Sequence, residues 1–97
     1  MPMFIGMLSW TDQGIRSVKD TPKRVQAAKE AAKKFGVEIK HLFLTTGEFD
    51  ILVILEASDG DKVAKFAMAS ASQGNIRTRT VRAWPENEMV RLISELP

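Results

Sequence analysis

The stretch Thr45-Thr46-Gly47-Glu48-Phe49-Asp50, followed at once by Ile51-Leu52-Val53-Ile54-Leu55, decides the fold. Gly47 and Glu48 are predicted to form a tight hairpin turn, and the apolar run after it predicts a strand that is hydrophobic on both faces. Such a strand must be covered from two sides. Because a chain of 97 residues has enough helix for only one side, we expect the other side to meet a second copy of the chain.

The segments around this hairpin predict the order βαββαβ with an extra C-terminal helix. Strands are expected at residues 3–10, 37–46, 49–57 and 76–84, a polar loop at 11–20, and helices at 21–36, 59–73 and from 85 onward. This order is typical of the ferredoxin-like α+β sandwich, in which two helices cover one face of a four-stranded antiparallel sheet of strand order 4-1-3-2. We interpret residues 1–97 as one domain.

The hairpin also predicts which side chains share a face. If Gly47 and Glu48 are a two-residue connection, Thr45 pairs with Asp50, and one face is mixed in character. That face carries His41, Phe43, Thr45, Asp50, Leu52 and Ile54. The opposite, wholly apolar face suits the two helices and carries Leu42, Leu44, Ile51, Val53 and Leu55. We therefore expect a subunit interface at Phe43, Leu52 and Ile54, or a pocket, on the mixed face.

The terminal helix is the rival cover for the mixed face. Its predicted apolar stripe consists of Met89, Leu92, Ile93 and Leu96. If this stripe folds over the mixed face, no second copy is needed.

Three separate stretches together resemble one family. They are Trp10-Thr11-Asp12-Gln13-Gly14-Ile15, the hairpin from Leu44 to Asp50, and Gly74-Asn75-Ile76-Arg77-Thr78 with Arg82-Ala83. In this combination they resemble the GYD-domain family, named for a Gly-x-Tyr-Asp hairpin, although Phe49 stands here where the signature has tyrosine. The resemblance implies a dimeric α+β barrel, in which two ferredoxin-like sheets pack face to face. That group includes cofactor-free monooxygenases, small isomerases, haem enzymes and amino-acid-sensing domains, so the fold alone does not select a function.

Six residues are candidates for a ligand-binding site. They are Trp10, His41, Phe43, Thr45, Asp50 and Arg82. Each also has a structural interpretation, which we take as the default: Asp50 accepts hydrogen bonds near the turn, and Arg82 keeps an edge strand from aggregating. His41 lies ~13 Å along the strand from the Thr45–Asp50 pair, which is too far for a hydrogen-bonded dyad within one chain.

Two functional classes fit these features. We favour an oligomeric module that binds a small molecule or a partner in the cleft between the sheet and the subunit interface, with no cofactor. The alternative is a small cofactor-independent or haem-dependent enzyme, such as a monooxygenase or isomerase, that uses His41, Thr45, Asp50 and Arg82 in one cleft. The sequence shows no assembled acid–base or metal constellation, and this favours the module.

Composition excludes further classes. The absence of cysteine excludes disulfides, a CxxC pair and thiolate zinc sites. No apolar segment approaches the ~20 residues of a membrane helix, and we expect a cytoplasmic protein without a membrane partner. The net charge is only +2, and we interpret the lysine-rich segment 16–40 as a solvated helix rather than a nucleic-acid site. The run Ile51–Leu55 of the third strand contains no aromatic residue, which also argues against an RNA-recognition motif.

Overall fold

A single four-stranded antiparallel sheet organises the chain. We describe it from a computed structural model that covers residues 1–97. The elements are β1 (Met3–Trp10), α1 (Asp12–Arg16), α2 (Thr21–Lys34), β2 (Val37–Leu44), β3 (Ile51–Ala57), α3 (Gly60–Ala71), β4 (Ile76–Ala83) and α4 (Glu86–Ser94), with a 3-10 turn at Val18–Asp20 before α2.

The strand order is β2-β3-β1-β4, which is the predicted order 4-1-3-2 read from the other edge. The apolar strands β1 and β3 are central, and the charged strands β2 and β4 form the edges. The prediction of a ferredoxin-like α+β fold is therefore confirmed. No helix of this chain has both the length and the apolar character that crossing a membrane requires.

The hydrophobic core lies between the sheet and helices α2 and α3. Burial alternates along β3, because successive side chains of a strand point to opposite faces. The nine buried core residues are Phe4, Ala32, Val37, Ile51, Val53, Leu55, Ala57, Val63 and Phe66. Toward the end of β1 the core is less sealed, since Leu8, Trp10 and Leu42 pack against it but stay half-buried.

Local signals place both helices on this face. Asp59 caps α3, because its carboxylate accepts a hydrogen bond of 3.0 Å from the Lys62 amide. Pro22 lies in the first turn of α2, where its missing N–H costs nothing. After α2, Gly36 has a φ of 75°, a left-handed conformation that favours glycine and reverses the chain into β2.

The predicted register of the central hairpin is confirmed. Leu44 pairs with Ile51 and Phe43 with Leu52, as expected for Thr45 opposite Asp50. The connection itself was predicted wrongly, since strand pairing stops at Leu44 and Ile51 and residues 45–50 form a longer loop. Leu44 faces the helix side as predicted and lines a pocket with Thr21, Pro22 and Val25 of α2, but it remains 73% exposed.

The segment 11–20 differs from the predicted loop. It forms the short helix α1, because the Thr11 hydroxyl accepts a hydrogen bond of 3.0 Å from the Gly14 amide and caps the first turn. The helical start was hidden because Gly14 lies inside that helix, where glycine normally argues against one.

Candidate functional site

The surface of the sheet opposite α2 and α3 is apolar and uncovered; we call it the open face. Direct strand partners place Ile5 between Ile54 and Val81, and Met7 beside Leu52. Phe43 and Val81 are 50% and 48% exposed, and none of the other apolar side chains on this face is buried. The apolar part of the open face consists of Met3, Ile5, Met7, Phe43, Leu52, Ile54 and Val81.

The terminal helix does not cover the open face. No residue of α4 is buried, and its apolar stripe is solvent-exposed, from 40% for Leu92 to 69% for Leu96. Within one chain, α4 therefore does not cover the open face, which was the alternative prediction. The molecule instead carries two unpartnered apolar surfaces, the open face and the α4 stripe of Met89, Leu92, Ile93 and Leu96.

Charges of opposite sign occupy two diagonally opposite corners of the open face. At the start of β2, Lys40 Nζ lies 3.4 Å from Glu38 Oε1 and 3.6 Å from Glu56 Oε2, which leaves this corner with a net negative charge. Glu38, and then Glu56, raise the pKa of Lys40. At the start of β4, Arg77 and Arg79 pair with Ser9 and Met7 and form a positive corner.

His41 and Phe43 lie side by side on the edge strand β2. Their ring centroids are 6.2 Å apart and the ring planes differ by 18°, so the two rings stack. Both side chains are exposed. No group of three metal-ligating side chains occurs in the chain. His41 and Phe43 thus form a flat aromatic surface at the β2 edge of the open face, with the His41 imidazole exposed to solvent.

Thr45 and Asp50 hold the hairpin loop together and tie it to β1. The Thr45 amide donates to the Asp50 carbonyl oxygen at 2.7 Å, and the Thr45 hydroxyl donates to the Phe49 carbonyl oxygen at 2.7 Å. The Asp50 carboxylate accepts a hydrogen bond of 3.0 Å from the Trp10 amide, and the Asp50 amide donates to the Leu8 carbonyl oxygen at 2.8 Å. Asp50 thus extends the hydrogen bonding between β3 and β1 by one residue beyond Ile51, where the paired region of β3 begins.

Arg82 lies at the other end of β1 and on the helix side of the sheet. It pairs with Phe4, and its guanidinium donates to the carbonyl oxygens of Met3, at 3.1 Å, and of Ala83. The guanidinium carbon also lies 4.4 Å from the centroid of the Trp84 ring, a cation–π contact. Phe4, the partner of Arg82, is six positions along β1 from Trp10, whose amide binds Asp50, a span of ~20 Å.

The six candidate residues therefore do not form one site. The expectation that His41, Thr45, Asp50 and Arg82 share one cleft is corrected by the structure, since Arg82 lies on the other side of the sheet and at its far end. Trp10 is half-buried on the helix side. Only His41 and Phe43 of the six present their rings to the open face, beside the predicted interface residues Leu52 and Ile54.

A close backbone junction was not predicted from the sequence. Thr11 donates from its amide to the Asn75 carbonyl oxygen at 3.1 Å and from its hydroxyl to the Gly74 carbonyl oxygen at 2.5 Å. Gly14 packs so tightly here that a Cβ on it would lie 1.9 Å from the Asn75 oxygen. The two glycines in otherwise polar segments were the available signal for this contact.

A β-bulge at Lys40 was also missed. The pairing shifts between Ile39 and His41, so Lys40 and His41 together oppose Ile54. The signal for the bulge is a change in the alternation of apolar residues along β2. The helix-facing residues have odd numbers before the bulge (Val37 and Ile39) and an even number after it (Leu42). The bulge keeps both halves of β2 oriented toward the core.

Comparison with known proteins places the fold in a family. A sequence model of the GYD domain matches residues 4–93. The chain belongs to the GYD-domain family. A relative from Thermus thermophilus, named glutamine synthetase and cystathionine beta-lyase binding protein, is 30% identical over 91 residues, which are 93% of this chain and 96% of the relative.

Solved structures resemble this GYD domain at lower identity. A feast or famine regulatory protein of Mycobacterium tuberculosis, in complex with L-methionine, superposes with a TM-score of 0.66 at 13% identity over 88% of this chain and 51% of that protein. The GYD chain thus spans about half the length of that regulator. An ACT domain protein of Streptococcus pneumoniae has a TM-score of 0.52 at 16% identity, covering 100% of this chain and 97% of that one. These likenesses concern the fold.

The family signature falls on the hairpin loop. Gly47 has a φ of 111°, and Asp50 makes the bond to the Trp10 amide. Phe49, in the place of the signature tyrosine, contributes its carbonyl oxygen to the Thr45 hydroxyl. The contacts that hold this loop therefore come from Asp50 and from backbone atoms, and none of them needs the phenol of a tyrosine.

Proposed function

We propose that this GYD protein is a non-catalytic binding module, which assembles as a homodimer through its open face and acts by binding another protein. The observation that carries the proposal is the uncovered apolar surface in the middle of the sheet. A monomer would leave Phe43, Leu52 and Ile54 in contact with water. Burying such a side chain is worth about 1.5–3 kcal/mol, and a two-fold symmetric contact counts each residue twice.

The charged corners favour one way of pairing two open faces. Consider a two-fold axis that lies in the interface plane, perpendicular to the line that joins the two corners. Rotation about this axis places the Glu38–Glu56 corner of each copy over the Arg77–Arg79 corner of the other. The apolar centres then meet, with the strands of the two sheets crossing at a large angle. The corners give such a dimer its orientation, since exposed ion pairs add only about 0–1 kcal/mol each.

The proposed protein partner is an enzyme of nitrogen or sulfur amino-acid metabolism. The 30% identical relative is named as a binding protein for glutamine synthetase and cystathionine beta-lyase. The surface that we propose for this contact is the α4 stripe, because an amphipathic helix with an exposed apolar face can dock into a groove of a partner. Leu92 and Ile93, at 40% and 58% exposure, lie at its centre.

The two parts of the proposal are tested separately by two variants. Leu52→Asp places a charge in the centre of the open face and is expected to yield monomer or insoluble protein. Ala64→Asp adds the same charge at an exposed position of α3 and should leave the mass in solution unchanged. Light scattering on the native chain and both variants measures this. A stable native monomer would contradict the dimer.

Partner binding is measured on purified glutamine synthetase and cystathionine beta-lyase of the source organism. We expect the native chain to bind at least one of them in a surface-based binding assay, and Ile93→Lys to bind more weakly by a factor of ten or more, while keeping the native mass in solution. Ala64→Lys, which adds the same positive charge at an exposed position of α3, serves as the control for a general charge effect. No binding by the native chain would refute the partner assignment.

A further inference from the structure

A cavity of about 170 Å³ lies between the sheet and the facing sides of α2 and α3, on the opposite side of the sheet from the open face. Fourteen of its 19 lining residues are hydrophobic. Helix α2 faces this space with Ala27, Ala28 and Ala31, and α3 faces it with Ala69. The space remains open because these side chains end at Cβ and do not reach across it.

The polar lining residues gather at one end of the cavity. They come from the first turn of α2, the last turn of α3 and the loop before β4, and are Thr21, Arg24, Ser70, Gln73 and Asn75. This is the end of the sheet where the core is incompletely sealed beside Trp10. The cavity thus has an apolar interior and a polar, cationic mouth.

Arg24 at this mouth has no acidic partner. Its guanidinium donates to Ser17 Oγ at 3.0 Å, to the Gly14 carbonyl oxygen at 3.2 Å and to Thr21 Oγ1 at 3.3 Å. All three acceptors are neutral, and no carboxylate forms an ion pair with this half-buried side chain. An arginine has five N–H donors, so two remain free. Charged groups that leave bulk water usually acquire a charged partner.

The geometry points to a binding site for a small organic anion, with its carboxylate at Arg24 and its apolar part between the two helices. An engineered cavity of about 150 Å³ in another protein holds benzene, so this space suits an apolar group of about six to eight carbon atoms. A carboxylate accepts two N–H groups of a guanidinium in a charge-assisted contact. The side-chain amides of Gln73 and Asn75 supply further donors at the mouth.

The test uses hexanoate as the probe and follows the methyl resonances of alanine, isoleucine, leucine, valine and methionine in the full chain by NMR. We expect hexanoate to shift the methyl resonances of Ala28 and Ala69. Hexan-1-ol, which has the tail without the charge, should shift them more weakly, and acetate, which has the charge without the tail, should not. Shifts confined to the open face, or no shifts with millimolar hexanoate, would overturn the proposal.

Variants separate the charge from the cavity. Arg24→Gln is expected to weaken hexanoate binding by about tenfold or more and to leave hexan-1-ol binding unchanged. Arg24→Lys keeps the charge and should retain part of the affinity. Ala28→Leu fills the cavity and should abolish binding of both probes, whereas Ala64→Leu on the exposed side of α3 should not. Equal hexanoate affinity in the native chain and Arg24→Gln would refute the role of Arg24.

Discussion

Replacing Gly14 by alanine is expected to destabilise this GYD protein by about 2 kcal/mol, although alanine favours a helix. The added Cβ would lie 1.9 Å from the Asn75 carbonyl oxygen, and real Cβ contacts stay beyond 3.0 Å. Because the position of a Cβ is fixed by its own backbone and its partner is a backbone oxygen, no rotamer change relieves the clash. The α1 turn must move away from Asn75 by about 1 Å.

The magnitude follows from the contacts that this movement breaks. Three hydrogen bonds are lost. The Thr11 amide no longer donates to the Asn75 carbonyl oxygen, the Thr11 hydroxyl no longer donates to the Gly74 carbonyl oxygen, and Arg24 no longer donates to the Gly14 carbonyl oxygen. Each bond contributes about 1 kcal/mol. The higher helix propensity of alanine offsets about 1 kcal/mol of this loss in the free energy of unfolding. A net loss of about 2 kcal/mol lowers the Tm of a domain of this size by roughly 8–16 °C.

Gly6→Ala is the matched control, because Gly6 is also buried but has room. A Cβ there would lie 3.8 Å from Val53 Cγ2, an ordinary contact. We expect this variant to be neutral or slightly stabilised, since alanine restricts the unfolded chain. Urea unfolding is measured at one protein concentration for all three proteins, because assembly couples stability to concentration. Unfolding of Gly14→Ala at the native midpoint, or an equal loss of stability in Gly6→Ala, would contradict the predicted clash.

Two further predictions concern single polar side chains. Asp50→Ala should cost about 1–3 kcal/mol by leaving the Trp10 amide without its acceptor, whereas Asp50→Asn keeps an acceptor and should cost about 1 kcal/mol or less; equal losses in urea unfolding would contradict this role. Lys40 has a raised pKa, so its contribution to stability should be complete below its ordinary pKa of 10.5 and be lost as the pH rises through the higher folded value. The difference in unfolding midpoint between the native chain and Lys40→Met should therefore be constant from pH 7 to 9 and shrink above pH 10.5 and in high salt; a difference that grows above pH 10.5 would refute it.

Much of the fold could be predicted because its signals are periodic. The alternation along β3, the helical spacing of the apolar residues in α2 and the turn residues around Gly47 each fix a local choice, and together they fix the strand order and the register. Even the uncovered mixed face followed from the register, since Phe43, Leu52 and Ile54 had to share one side.

The site was harder to predict because it depends on contacts between distant segments. The bond from the Trp10 amide to Asp50 joins residues that lie 40 positions apart, and Thr11 meets Gly74 across 63 positions. The orientation of Arg82 toward the helix side depends on its pairing with Phe4. Neither residue type nor spacing along one strand carries this information, so the candidate residues were grouped into a cleft that the sheet divides.

Cover of the open face by a second copy is the central feature of the proposed function. The measurement that tests it most directly is the mass of the unmodified chain in solution by light scattering over a range of micromolar concentrations. We predict twice the 10.8 kDa of one chain, or a higher multiple built from that dimer. A mass of 10.8 kDa throughout, in a protein that stays folded and soluble, would contradict it.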